Sequence, residues 1–279
     1  MFKFLCKSVV FIALCSVSSW SLAASLEKSI ERIMEVSGLT TQASYLPDLI
    51  RVGMEQARQE GAPIPDEEFR IMLESASETI LPSEILQSVQ LSLQESISKE
   101  ETESLLAWFE SDLGKEITAV EESASTAEAY QQMMMQAQSL LQNSERVAFA
   151  KRLDALVGAT DMGVDLQEFS GMAVYTAVMM VMWPNEPLDL TPFKAEMDAT
   201  RAQTHAAMEQ MTIVSLVYSY QALDDKKLSK YEAFLSTPTA KKFNKVVMGS
   251  IKTALEASIS KWAKRLAVML KENRQQTKS

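Results

Sequence analysis

The sequence predicts an all-α fold, with two related helical lobes that arise from an internal duplication and follow a cleaved signal peptide. Three observations predict it. Apolar residues recur at helical spacing along nearly the whole chain, the mark of helices that bury one face. Helix-starting Ser, Thr and Asp and helix-ending Gly and Pro fall between those runs. One short pattern also occurs twice: an aromatic residue with an apolar neighbour, a hydroxyl residue, a turn, a small residue and a lysine. No strand pattern survives beside these signals. Residues 213–220 contain β-formers, but the helical apolar spacing continues through them.

The first residues read as a secretory signal. Lys3 and Lys7 supply the positive start, residues 9–17 are apolar apart from Ser16, and Ser21-Leu22-Ala23 presents small residues to a signal peptidase. Cleavage is expected after Ala23, which assigns residues 1–23 to the signal. The apolar run is shorter than the ~20 residues a spanning helix needs. A lipoprotein signal would use Cys15 after Ile12-Ala13-Leu14, but leucine stands where a small residue is required before the modified cysteine. The expected location is the periplasm of a Gram-negative bacterium.

Both cysteines, Cys6 and Cys15, lie in that signal. The mature chain is therefore expected to form no disulfide and to rely on a packed core. Removing 23 of 279 residues leaves 256, enough for one large domain or two small ones. No second long apolar run follows; residues 171–183 come nearest, and their length suits a buried core helix. Charge is uneven. Residues 237–279 carry a net +8, and residues 24–236 carry −20. The acidic body argues against nucleic acid as a partner, because phosphate binding needs clustered positive charge.

The elements follow in order. Ser25 is placed to cap a first helix that buries Leu26, Ile30, Ile33 and Met34 and stops at Gly38. A second runs from about residue 41 to residue 60, and Gly61-Ala62-Pro63-Ile64-Pro65 breaks it. Asp66-Glu67-Glu68 opens the next, with Phe69, Met72, Leu73 and Ala76 inward. Ser83, after Pro82, is expected to cap a helix carrying Ile85, Leu86, Val89 and Leu93. Ser98 and Glu101 form a capping box for the helix that holds Trp108.

The second half repeats this order. The stretch 33–40 resembles 152–160 at an offset of 120, with Gly38 matched by Gly158. The aromatic pattern recurs at an offset of 126, so an insertion lies between, most naturally in the loop 184–192. Thr191 is expected to cap a helix with Pro192 in its first turn, and Thr237-Pro238 the last helix. That last helix carries one stripe from Phe243 through Val247, Ile259, Trp262 and Leu266 to Met269. The lobes are placed at 24–142 and 143–279, joined near residues 142–144, and expected to match helix for helix.

The repeated pattern itself is Leu106-Ala107-Trp108-Phe109-Glu110-Ser111-Asp112-Leu113-Gly114-Lys115, aligned without a gap to Glu232-Ala233-Phe234-Leu235-Ser236-Thr237-Pro238-Thr239-Ala240-Lys241. On these residues the chain resembles the bacterial exported family named only as domain of unknown function 2059, in which an aromatic–Ser–Pro–x–Gly–Lys turn comes late in each unit. Asp112 replaces the proline in the first copy; Thr237 and Ala240 replace the serine and glycine in the second. The resemblance implies a location and an all-helical fold, and brings no accepted activity. Capping alone explains the turn: Ser111 or Thr237 caps a helix, and Asp112 or Pro238 suits its first turn.

No residue is assigned to catalysis, to a cofactor or to a metal. His205 is the only histidine, and no Gly-x-Ser-x-Gly turn presents a nucleophile. Ser-x-x-Lys spacings at Ser25–Lys28, Ser96–Lys99 and Ser258–Lys261 lack the partner motifs of a penicillin-binding fold. Asp66-Glu67-Glu68, Glu100-Glu101 and Asp224-Asp225 each fall in the first turn of a predicted helix, where negative charge meets the positive end of the dipole. Methionine is abundant, at 17 residues, and thioethers bind Cu(I). Adjacent methionines on a helix point apart, however, so Met133-Met134-Met135 and Met179-Met180-Val181-Met182 favour packing or a soft apolar surface.

These readings point to a periplasmic binding or interaction protein without catalysis, offering an apolar, Met-rich groove between lobes to a protein, peptide or lipid. The alternative is a peripheral membrane-surface protein using the basic last helix, with Trp262 at the interface. A hydrolase is least favoured. Mass spectrometry of the mature protein is expected to find an N-terminus at Ala24; a diacylated Cys15 would refute both the cleavage site and the soluble reading.

Overall fold

In the computed structural model, residues 26–60, 65–183 and 187–276 are described, and they form helices only. Ser25 and residues 1–23 of the expected signal lie outside them, as do residues 61–64 of the expected break and 184–186 of the expected insertion.

The first helix, α1, covers residues 26–36. Gly38 ends it at φ +77°, a left-handed conformation that favours glycine. The helix expected over 41–60 begins earlier and is interrupted, giving α2 Leu39–Ser44 and α3 Leu46–Glu60 with Tyr45 between them. Pro47 explains the interruption: it has no N–H to give to the carbonyl of Ala43, and it disfavours helical backbone just before it. Next come α4 Asp66–Thr79, opened by three acidic residues, and α5 Pro82–Ser96. Ser83 does not cap α5. Pro82 already occupies the first turn, which puts extended Leu81 at the cap position.

The capping box is present: the Glu101 N–H donates to Ser98 Oγ at 3.2 Å and the Ser98 N–H to Glu101 Oε2 at 2.8 Å, starting α6 Lys99–Phe109. Ser111 caps α7 Asp112–Ala124, Thr126 caps α8 Ala127–Leu140, and Asn143 caps α9 Ser144–Val157. Gly158, at φ +72°, turns the chain into α10 Ala159–Met182. In α11 Thr191–Ser219, Pro192 lies in the first turn as expected, but Thr191 is inside the helix. The carboxylate of Asp189 takes the Thr191 N–H at 2.9 Å instead. Asp224 caps α12 Asp225–Leu235. Thr237 Oγ1 accepts the Ala240 N–H at 3.2 Å at the start of α13 Pro238–Gln276.

At 39 residues, α13 is ~58 Å long. That reach lets its stripe serve two cores. Phe243 and Val247 join Ile30, Ile33, Val89, Leu93 and Leu105; further on, Ile259, Trp262, Ala263 and Leu266 join Ile71, Ile80, Ile85 and Ala177. A third cluster sets Ile117 of α7 among Phe149, Leu153, Leu223 and Tyr231. In the fourth, Met133 and Leu140 of α8 meet Ala150, Ile213, Val214 and Val217. Every one of these clusters draws on both sides of residue 142. The segments 24–142 and 143–279 therefore share their cores.

Some features recur along the chain and others do not. α6 and α12 have the same length, α7 and α13 begin 126 residues after one another as α6 and α12 do, and all four are capped by a side-chain oxygen. The aromatic turns lie against each other: Trp108 stacks on Phe234 with centroids 4.2 Å apart and planes 5° apart. Holding that stack buries Trp108 Nε1 without a hydrogen bond among the described residues. The halves do not match helix for helix. Between α9 and α12 the chain runs through the unbroken α10 and α11, whereas α2 to α5 cover the comparable stretch of the first half. Pro47 and Pro82 account for two of the extra breaks.

The turn at Gly114 leaves no room for a side chain, because a Cβ there would stand 2.1 Å from the Trp108 carbonyl oxygen. Gly114→Ala is therefore expected to destabilise the protein by about 1–3 kcal/mol in urea unfolding, by overpacking. An unchanged midpoint would mean that the turn relaxes as it does at Ala240.

Candidate functional site

Few of the residue sets singled out in the sequence converge. His205 is exposed on α11, with Nε2 3.4 Å from Asp161 Oδ1. Ser258 is buried, while Lys261 turns outward to Glu84 at 2.5 Å. Asp66, Glu67 and Glu68 occupy the first turn of α4; Glu100 and Glu101 that of α6. Among the described residues no three His, Cys, Asp or Glu side chains gather as metal ligands would. The methionine run splits as adjacent helical residues must. Met133 is buried, Met134 packs against its cluster and Met135 is 80% exposed.

The second methionine run is different. The end of α10 is apolar on nearly every side, and part of it is left uncovered although α13 packs on one face and Phe193 of α11 stacks on Tyr175. Ala173, Val174 and Ala177 pack towards α13, while Val178, Met180, Met182 and Trp183 remain exposed, as does Leu188 beyond the helix. The buried core helix expected over 171–183 is thus half open. Uniformly apolar sequence cannot say which face is covered, and an apolar patch of this kind marks interaction surfaces.

Two clefts flank this segment. The first, about 250 Å³, lies between α10 and α13. Its walls are Phe169, Met172, Met180 and Leu190, and the small side chains of Ala173, Ala177 and Ala263 leave the space open. Thr176, Ser260 and Lys264 are its polar residues. The second cleft, about 320 Å³, is lined by Met72, Val178, Met182, Leu266 and Leu270, with Glu68 and Arg274 at its edge. Both are near the lower end of the range for small-molecule sites, which are mostly apolar with a few placed polar groups. Sequence reasoning named Met180 and Met182 but missed Ser260 and Lys264. Only the placement of α13 beside α10 brings these two to an apolar wall.

Four basic residues of α13 are committed to the body. Lys242 pairs with Glu101 at 2.8 Å, Lys261 with Glu84, Arg265 with Glu78 at 2.6 Å, and Lys252 with Asp165. Such exposed pairs are each worth at most about 1 kcal/mol, so they orient the helix more than they hold it. Trp262 is 7% exposed, and its Nε1 donates to Ser75 Oγ at 3.0 Å. It is part of the core rather than of an interface.

A polar cluster sits inside the third core. Tyr220 Oη and Tyr231 Oη both donate to Glu121 Oε1, at 2.5 and 2.7 Å. Burial pushes the Glu121 carboxyl above the ordinary range, although the two tyrosine hydrogen bonds oppose this. Burial, followed by the charge of Glu121, drives both tyrosines well above theirs, so they stay neutral donors. In sequence, Glu121 is indistinguishable from its neighbour Glu122.

Residues 83–143, from the start of α5 to the cap of α9, match the model of a family described as "Uncharacterized protein conserved in bacteria (DUF2059)". The match holds the first aromatic turn and Glu121. The second turn, at 231–241, lies outside it. No curated protein and no solved structure matches the chain.

The buried carboxyl has a consequence for stability. Its folded pKa lies above its unfolded one, so the folded chain keeps a proton that the unfolded chain has released. The associated stability is present in full below the unfolded value and is lost as pH rises through the folded value. Glu121→Gln keeps an acceptor for the tyrosines and removes the titration. Melting curves between pH 4 and pH 8 are expected to show the variant gaining on the wild type as pH rises. A constant difference between the two would rule out the shift.

Proposed function

We propose that this chain is an exported bacterial binding protein, without catalytic activity, that receives an apolar ligand in the cleft between α10 and α13. The observation that carries the reading is the half-covered end of α10, where Met172 and Met180 wall an open space beside exposed Trp183 and Leu188. Methionine adapts its shape to apolar guests, which suits it to such a wall. Among the described residues the cleft's polar groups are two hydroxyls and one ammonium, with neither carboxylate nor imidazole to act as a base. The signal-like start, with Ser21-Leu22-Ala23, supports a periplasmic location, and the −20 body supports partners other than nucleic acid.

The reading includes an origin by internal duplication. The equal spacing of the caps at Ser98 and Asp224 and at Ser111 and Thr237 supports it, as do the two left-handed glycines after α1 and α9. The membrane-surface alternative gains little from α13, since its apolar stripe is used in packing and Trp262 is buried.

A neutral naphthylamine dye that brightens in apolar surroundings tests the cleft. The wild-type protein is expected to bind it, and Met180→Asp to weaken binding about tenfold, a loss near 1.4 kcal/mol, without lowering the melting temperature. Equal binding by both proteins would move the site away from this cleft.

A further inference from the structure

We infer that the occupant of the α10–α13 cleft is a single-chain amphiphile with one anionic head, of the fatty-carboxylate class. The inference rests on the apolar-ligand reading above and adds the charge. Among the described residues, Lys264 is the only charged one lining this cleft. Four other basic residues of α13 are spent on carboxylates of the body. Lys264 makes no ion pair among the described residues, and neither Thr176 nor Ser260 makes a hydrogen bond there. Helical hydroxyls nearby behave otherwise: Ser250 and Thr253 donate to carbonyls one turn back, at 2.8 and 3.0 Å.

Ser260 and Lys264 are one turn apart and therefore share a face of α13. Together they offer an ammonium and a hydroxyl donor to one head group. A lysine is a single point charge without the fork of arginine, so it matches a monoanion. Apart from these polar groups and Thr176, the cleft is lined by apolar side chains, Met172, Ala173, Met180 and Leu190 among them, which fits an alkyl chain. A peptide would bring its own N–H and C=O groups into the same space, and the walls have little to pair with them. The second cleft carries Glu68 beside Arg274 and lacks this single sign.

Displacement of the neutral dye by ten-carbon probes tests the charge. Decanoate is expected to displace it at least tenfold more strongly than decyltrimethylammonium. Lys264→Ala is expected to remove that preference and Lys264→Arg to retain it, each preference being measured against the same variant's own affinity for the dye. Isothermal titration with decanoate alone checks binding directly, and high salt should weaken it. If the two probes compete equally, or if Lys264→Ala leaves decanoate unaffected while the dye still binds, the anionic head is wrong and the cleft reading stands. If the dye does not bind at all, the cleft reading fails and the inference fails with it.

Discussion

The apolar stripe of α13 is the constraint on which the rest of the structure depends. Phe243 and Val247 close one core, and Ile259, Trp262 and Leu266 close another. Burying side chains of this size contributes about 1.5–3 kcal/mol each, against at most about 1 kcal/mol for each ion pair on the outer face. Apolar contact therefore fixes the helix, and the pairs to Glu101, Glu84 and Glu78 choose its rotation. The same packing leaves Lys264 beside the open end of α10. Cutting the chain before Ser258 would strip Ile259, Trp262 and Leu266 from their core, so a truncated protein is a poor tool for asking whether α13 touches a membrane.

The stacked turns are the second fixed point. Trp108 and Phe234 lie face to face, Phe109 meets the edge of Phe234, and Gly114 and Ala240 follow at matching positions. Aromatic pairs in such geometry add about 0.5–1.5 kcal/mol beyond the area they bury. At Gly114 the small residue is demanded by the turn's own backbone, since a Cβ there would meet the Trp108 carbonyl.

Much of the fold was legible because its signals are local. Ser98 with Glu101, Ser111, Thr237 and Gly38 each act within one helical turn, so sequence alone places them. Ser83 and Thr191 misled because each lies inside its helix, Ser83 behind Pro82 in the first turn and Thr191 with its N–H taken by Asp189, and the break at Tyr45 came from Pro47 two residues later. The lobe boundary near 142 was read from repetition, which says nothing about which helices share a core. The site was legible only in part. An all-apolar run such as 171–183 has no periodicity to show its covered side. Lys264 differs from Lys261 only in which helix faces it.

The shared cores also bear on how the chain folds. A first half made alone would hold α1, α5 and α6 without Phe243 or Val247, and α4 without Trp262 or Leu266. These two clusters would stay open until residues 238–276 had arrived, whereas the clusters around Ile117 and Met133 draw on no residue beyond 235. Contacts of such long sequence separation form late, because loop closure must precede them. The two cores that α13 closes are thus the last the chain can complete, whatever the order in which its other helices settle.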